Sequence, residues 1–239
     1  MAKKSIESEP ARPVTVADHR ELNQRHTEKK KTAVNDALQF PTGDQFEADL
    51  TELLAAGSEE DGETIAIALI DIDCFLHINT DFGYEEGDRL LIETGRYIKE
   101  NAPQQSTVYR IGGDEFGIIF RGEMEREEIF LFLNELKNNY NLKSPDGVKQ
   151  TITIGMATAF TDASRCAELI RKADGALFRA KRSGRNRVTM AREEKMIPKT
   201  SHYTQDQLQR LTALSKAEGI GEAILLREAL DMLLKKYDT

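Results

Sequence analysis

Arg110-Ile-Gly-Gly-Asp-Glu-Phe-Gly-Ile-Ile-Phe120 sets two adjacent glycines and two adjacent acids between apolar β-formers, the pattern of strand, tight turn, strand. Paired glycines supply the positive φ angles of a two-residue hairpin turn, and their missing side chains let a bulky ligand approach the backbone. Asp114 and Glu115 then stand at the hairpin tip. On this stretch alone, two turn carboxylates read equally well as solvated polar residues.

Upstream, Thr64-Ile-Ala-Ile-Ala-Leu-Ile-Asp-Ile-Asp73 is a continuous β-prone apolar run, suited to a strand buried on both faces. It ends in acids. Carboxylates at the end of a buried strand are candidates for holding a hard cation such as Mg²⁺, which takes carboxylate and carbonyl oxygens; Asp73 also reads as a helix N-cap. Around these strands the spacing predicts helices. Asp44 to Leu54 places Phe46, Leu50, Leu53 and Leu54 on one face, and Arg89 to Ile98 is again amphipathic. Glu123 to Tyr140 and Ser164 to Arg182 follow, the latter stopped by Ser183-Gly184. Gln150 to Ala157 reads as a strand and Arg187 to Met190 as a short one. Strands alternating with helices predict an α/β fold, a central sheet flanked by helices, made mixed by the hairpin.

Composition bounds the rest. With 39% hydrophobic and 31% charged residues the chain has an ordinary globular balance, and no apolar run reaches membrane-spanning length. MAKKSIESEP lacks an apolar signal core, so a cytoplasmic protein with no membrane partner is expected. Cys74 and Cys166 are too few for a disulfide framework or zinc site and are expected as reduced, partly buried thiols. A net charge of −8 argues against a chain-wide nucleic-acid surface but not a local one. Residues 1–14 are expected to be disordered, 15–36 to form a polar helix or stalk, 37–190 the main domain, 191–198 a linker and 199–239 a second, small domain.

Several stretches agree in order and spacing: Asp71-Ile-Asp-Cys-Phe-Leu-His-Ile-Asn79, Gly83 and Gly87-Asp88, Gly112-Gly-Asp-Glu-Phe116, and Ala180-Lys-Arg-Ser-Gly-Arg-Asn186. Together they resemble the successive signatures of the GGDEF-type diguanylate cyclases over roughly residues 35–190. The resemblance implies condensation of two GTP into cyclic di-GMP (c-di-GMP) with Mg²⁺ (or Mn²⁺), the metals polarising the α-phosphate and neutralising the leaving pyrophosphate. It implies Asp71, the Ile72 carbonyl and Asp114 as metal ligands. Glu115 matches the residue that meets the attacking 3′-hydroxyl, as base or as metal ligand. Gly112 and Gly113 would admit the nucleotide, Asn79 and Asp88 would read guanine with Phe75 beside them in the substrate set, and Lys181 and Arg185 would grip the triphosphate from one helical face if the helix continues that far. Each family protomer holds one GTP, so a homodimer or higher oligomer is implied and a monomer should be inactive.

The chain also departs from the family. Leu76 replaces a phosphate-contacting lysine, Tyr84 a histidine and Thr80 an acid. None of these is a metal ligand. Pro103 and Ser106 stand where the family's product-inhibition site has Arg and Asp, so feedback inhibition there is expected to be absent.

From Lys195 the composition changes. An extended stretch, Lys199 to Thr204, precedes a helix Gln205 to Glu218 with Leu208, Leu211 and Leu214 on one face, then a glycine turn and a helix Gly221 to Lys236 with Ile224, Leu225, Ala229, Met232 and Leu233. A hairpin docked on the main domain is one reading. The other is a resemblance to ribbon-helix-helix domains, strand-helix-helix units that interlock two chains and lay a ribbon in the DNA major groove. That resemblance implies Lys199, Thr200 and His202 as ribbon residues, with Gly221 near a phosphate and Thr204 as N-cap. Seven basic against six acidic residues in 195–239 give only +1, so dimerisation without DNA stands beside DNA binding. A regulator responding to GTP or c-di-GMP, with a weak or inactive cyclase domain, is the alternative to an active enzyme.

Overall fold

The computed structural model describes residues 34–57, 62–192, 199–218 and 221–237. The expected disordered stretch 1–14, most of the polar helix 15–36 and most of the linker 191–198 lie outside the described residues. The chain divides into two compact units, Met1–Glu193 and Glu194–Thr239.

In the first unit, α1 (Gly43–Ala56) leads into β1 (Thr64–Ile72), then α2 (Phe75–Phe82), α3 (Tyr84–Asn101), β2 (Ser106–Gly112), β3 (Glu115–Gly122), α4 (Arg126–Asn139), β4 (Ile152–Thr158), α5 (Cys166–Arg182) and β5 (Val188–Met190). The five strands lie in the order β2-β3-β1-β4-β5. The mixed sheet is more antiparallel than the hairpin alone implies: β1 is antiparallel to both β3 and β4, and only β4 and β5 pair in parallel. Helices α4 and α5 begin two to three residues later than the sequence pattern predicts.

β1 is apolar throughout because its alternating side chains serve two cores. Ala66, Ala68, Ile70 and Ile72 join one cluster with Leu90 and Ile98 of α3 and Ile129 and Leu133 of α4. Ile65, Ile67 and Leu69 join the other, with Phe46 and Leu50 of α1 and Leu169, Ala173 and Leu177 of α5. Asp71 continues the second series, so the strand's own alternation sends it to the face covered by α5. A short helical stretch, 34–38, adds Val34 and Leu38 to the first core.

α5 lies close on β4 because Gly155 has no side chain. A Cβ there would come within 2.3 Å of the Ala173 carbonyl oxygen and the Leu177 amide nitrogen, both backbone atoms that cannot rotate away. Gly155→Ala is therefore expected to lower unfolding stability by about 3 kcal/mol, read as a shifted denaturant midpoint. A midpoint within experimental error of the parent would show that α5 tolerates displacement.

In the second unit, α6 (Gln205–Glu218) and α7 (Glu222–Tyr237) are joined by the hydrogen bond from Thr212 Oγ1 to Glu222 Oε1, 2.6 Å. Thr204 caps α6 as expected, with Gln207 answering: Gln207 N donates to Thr204 Oγ1 at 3.2 Å and Thr204 N to Gln207 Oε1 at 2.9 Å, a reciprocal capping box. Lys199 to Thr204, expected as a strand, makes no strand pairing among the described residues. Leu208, Leu214, Leu230, Met232, Leu233 and Leu234 are exposed.

Candidate active site at the open end of the sheet

Asp71 and Glu115 face one another as cross-strand partners of β1 and β3, and residues of one parity share a face, so both carboxylates lie on the α5 side of the sheet. From α5, Lys181 Nζ reaches Asp71 Oδ2 at 2.6 Å. Burial pushes the Asp71 carboxyl up to about 6, against the pull of Lys181 and with a further push from Asp114 and Glu115. Asp114 is also raised, by burial, with Lys181 opposing. Three acids thus share one field with a single ammonium group. Among the described residues no three side chains of Asp, Glu, His or Cys converge as a closed metal cage. The hard oxygen set nevertheless fits Mg²⁺ or Mn²⁺, since a buried carboxylate with a raised pKa gains from any added positive charge and the Ile72 carbonyl is a backbone donor.

Asp73 is not the cap of α2; Cys74 occupies that position in left-handed backbone, φ 58°, without a side-chain cap. Asp73 is buried and accepts from Thr151 Oγ1 and Thr153 Oγ1, both at 2.6 Å, and from Asn186 N at 3.1 Å. It therefore ties the end of β1 to β4 and to the loop after α5. In that loop Gly184, Arg185 and Asn186 all have positive φ. This corrects the expectation that Lys181 and Arg185 share a helical face. α5 ends at Arg182, and Arg185 sits in left-handed backbone, exposed, while Lys181 points at Asp71.

The hairpin tip departs from expectation in its backbone. Neither Gly112 nor Gly113 has positive φ, and the register shifts between Arg110 and Gly112, so the two-residue turn at Gly113 and Asp114 is not of the primed type and follows a bulge in β2. Their value is room. A Cβ on Gly113 would meet nothing within 4 Å, and one on Gly112 only Glu115 Oε2 at 3.9 Å.

Across the α2–α3 contact, a Cβ at Gly87 would lie 2.0 Å from Asn79 Oδ1 and 3.2 Å from Phe75 Cζ. The glycine lets these two side chains sit against α3 immediately before Asp88. Arg110, given no role from sequence, joins this group to the hairpin. Its Nη1 donates to Asn35 Oδ1 at 2.6 Å and its Nη2 to the Gly113 carbonyl at 3.1 Å; burial draws its pKa down while nearby Asp88 holds it up. An arginine in a strand has no sequence signal for such a bridge; only the pairing of β2 with β3 shows it. Leu76 is 75% exposed and Tyr84 65%, and Thr80 turns its hydroxyl back to the Leu76 carbonyl at 2.8 Å.

Cys166 is half-buried as expected, but Cys74 is exposed. Pro103, with Gln104, Gln105 and Arg121, borders a cavity of about 240 Å³, and Ser106 closes on the Pro103 carbonyl at 2.6 Å. No helix among the described residues is long and apolar enough to cross a membrane.

Residues 36–187 match the diguanylate cyclase GGDEF domain family, and the chain belongs to that family. Residues 197–238 match the ribbon-helix-helix domain family. Diguanylate cyclase A of Treponema denticola is 34% identical over 146 residues, 59% of this chain and 38% of that protein. The crystal structure of the GGDEF domain of PA1120 from Pseudomonas aeruginosa superposes with a TM-score of 0.61 at 27% identity, covering 66% of this chain and 99% of that one. The coiled coil and GGDEF domain of DgcB from Caulobacter crescentus, solved with c-di-GMP, gives 0.59 at 26% identity, covering 74% and 97%. The chain spans well under half the length of the Treponema relative.

A pH dependence follows from Asp71. Its folded pKa is raised from 3.8 to about 6, so its contribution to stability is fullest below the unfolded value and is lost as pH rises through 6. A divalent cation reverses that loss only where the carboxylate is ionised. The rise in melting temperature on adding Mg²⁺ is expected to be larger at pH 7.5 than at pH 5, measured by differential scanning fluorimetry against EDTA. An equal rise at both would place the cation elsewhere.

Proposed function

We propose that this chain condenses two GTP molecules into c-di-GMP across a dimer. Each 3′-oxygen forms a bond to the α-phosphorus of the facing nucleotide, and each α-phosphorus loses pyrophosphate. The observation that carries the reading is the cross-strand pairing of Asp71 with Glu115 beneath Lys181, with Asp114 in the same field. Asp71, the Ile72 carbonyl and Asp114 would hold Mg²⁺ or Mn²⁺. Bound there, the ion would polarise the α-phosphate and offset charge on the leaving pyrophosphate. Glu115, one residue along, would accept the proton of the attacking hydroxyl or add a ligand to the ion. Asn79 and Asp88 offer an amide and a carboxylate to the guanine edge, with Phe75 beside them, and Gly112 and Gly113 leave room for the nucleotide. Lys181 and Arg185 supply positive charge to the triphosphate, Lys181 exchanging its carboxylate for phosphate or for the cation's field.

Incubation of the full chain with labelled GTP and Mg²⁺, with products separated by ion-exchange chromatography, is expected to yield c-di-GMP and pyrophosphate. GTP left intact at every protein concentration would contradict the reading and favour the regulator.

For the second unit we propose dimerisation through the exposed leucines of α6 and α7 and DNA binding through Lys199, Thr200 and His202, with Gly221 at the start of α7 against a phosphate. Salt-sensitive retardation of a DNA duplex tests it, and none at low salt would leave the unit a dimeriser.

A further inference from the structure

Asp73 is an acid buried at the open end of the sheet to which the proposed synthesis gives no task. Its backbone N–H donates to the Thr151 carbonyl at 2.9 Å. The peptide joining Ile72 to Asp73 is planar and trans, so the Ile72 carbonyl points the opposite way, away from β4. On the side chain, Oδ1 accepts from Thr153 Oγ1 and Oδ2 from both Thr151 Oγ1 and Asn186 N. Three neutral donors thus converge on two oxygens, where an amide would offer one acceptor oxygen for all three. Joining these segments does not by itself call for a buried acid: β1 and β4 already share a ladder, and Ile154 N donates to the Arg187 carbonyl at 2.9 Å. Asn186 is the last of three consecutive residues with positive φ, after Gly184 and Arg185. Left-handed backbone is disfavoured for residues with a Cβ and persists where surrounding bonds hold it. Here Asn186 N is held by Asp73 Oδ2 and by Thr153 Oγ1, at 3.1 and 2.9 Å, and the Asn186 carbonyl by Lys137 Nζ at 3.2 Å.

We propose that Asp73 is a positioning residue for the triphosphate. Its carboxylate holds the Arg185–Asn186 turn in left-handed form and so sets where the Arg185 guanidinium lies, while its N–H fixes the direction of the Ile72 carbonyl. The inference rests on the cyclase reading, in which Arg185 meets the triphosphate. Asp73 acts through Arg185, not on the nucleotide itself. A guanidinium matches phosphate geometry only when its fork is correctly presented, so a shifted turn weakens the grip without removing the charge. The guanine-reading pair, Asn79 and Asp88, belongs to the α2–α3 contact and makes none of these bonds. A change at Asp73 therefore separates the phosphates from the base.

The test is isothermal titration calorimetry of the full chain in Mg²⁺ with two ligands, a GTP analogue carrying carbon in place of the α,β-bridging oxygen, and GMP. Wild type is expected to bind the analogue at least about tenfold more tightly than GMP. Asp73→Asn, which keeps the side-chain shape, should lower analogue affinity about tenfold and move GMP affinity by less than about twofold. Thr153→Val, which removes the hydroxyl shared by Asp73 and Asn186, should lower analogue affinity about threefold and carries the test if Asp73→Asn fails to fold. Arg185→Ala should itself weaken the analogue, and adding Asp73→Asn to it should cost less than about a further twofold, since both changes act on one contact. Equal loss of analogue and GMP in Asp73→Asn would make the residue a general support of the fold and overturn the proposal. Wild-type affinity in both Asp73→Asn and Thr153→Val, or a full further loss on top of Arg185→Ala, would also overturn it. A wild type that binds GMP as tightly as the analogue has no triphosphate grip, which overturns the proposal together with the roles of Lys181 and Arg185; c-di-GMP made by that same wild type would leave the synthesis standing.

Discussion

Asp114→Ala is expected to lower c-di-GMP formation by at least about 10³-fold, with the fold intact. The residue sits at the hairpin tip beside Gly113, where an added Cβ would meet nothing within 4 Å, so its removal opens no core cavity. What it removes is a carboxylate whose own pKa is raised by burial and which pushes up that of Asp71. The variant's melting temperature in EDTA should therefore equal or exceed the parent's, because one buried like charge has gone. Its melting temperature should respond less to Mg²⁺. Measured together by product chromatography and scanning fluorimetry, lost turnover with unchanged or raised stability assigns Asp114 to the cation. Turnover within tenfold of the parent would remove it from that role.

Removing residues 194–239 is expected to make synthesis second-order in protein and to reduce specific activity at micromolar concentration by about 10²-fold, recovering as protein concentration rises. The half-site built by β1, β3 and α5 is left untouched by this change, since the first unit carries both cores. What is lost is the effective concentration of the second half-site. Leu208 and Leu214 of α6 and Leu230, Leu233 and Leu234 of α7 are exposed among the described residues, which is why a second copy is assigned to them. Specific activity independent of both truncation and dilution would assign dimerisation to another segment.

Much of the sheet could be read from residue alternation. The run from Thr64 to Asp73 revealed a strand with two buried faces, and parity along it carries Asp71 to the α5 side. The sequence could not reveal that Asp71 and Glu115 are register partners, because pairing is a long-range choice. The glycine pair was assigned a positive-φ turn on local chemistry, whereas the bulge at Ile111 relieves that need and leaves only the need for space. Helical spacing placed Lys181 and Arg185 together, but Gly184 and two left-handed residues after it end the helix between them. Arg110 and Asp73 act through partners 75 and 80 residues away, Asn35 and Thr153, and no local pattern encodes such bonds. Lys199 to Thr204 is extended in sequence pattern but pairs with no strand among the described residues.

The most direct measurement mixes wild type with Asp114→Ala at equal concentration, under conditions where subunits exchange, and follows c-di-GMP at constant total protein. If both half-sites are needed, only dimers with two wild-type copies cyclise, and output should fall to about one quarter of the all-wild-type value. Output of about one half, the sum of chains working alone, would contradict catalysis across the dimer, and no c-di-GMP from wild type itself would contradict the cyclase.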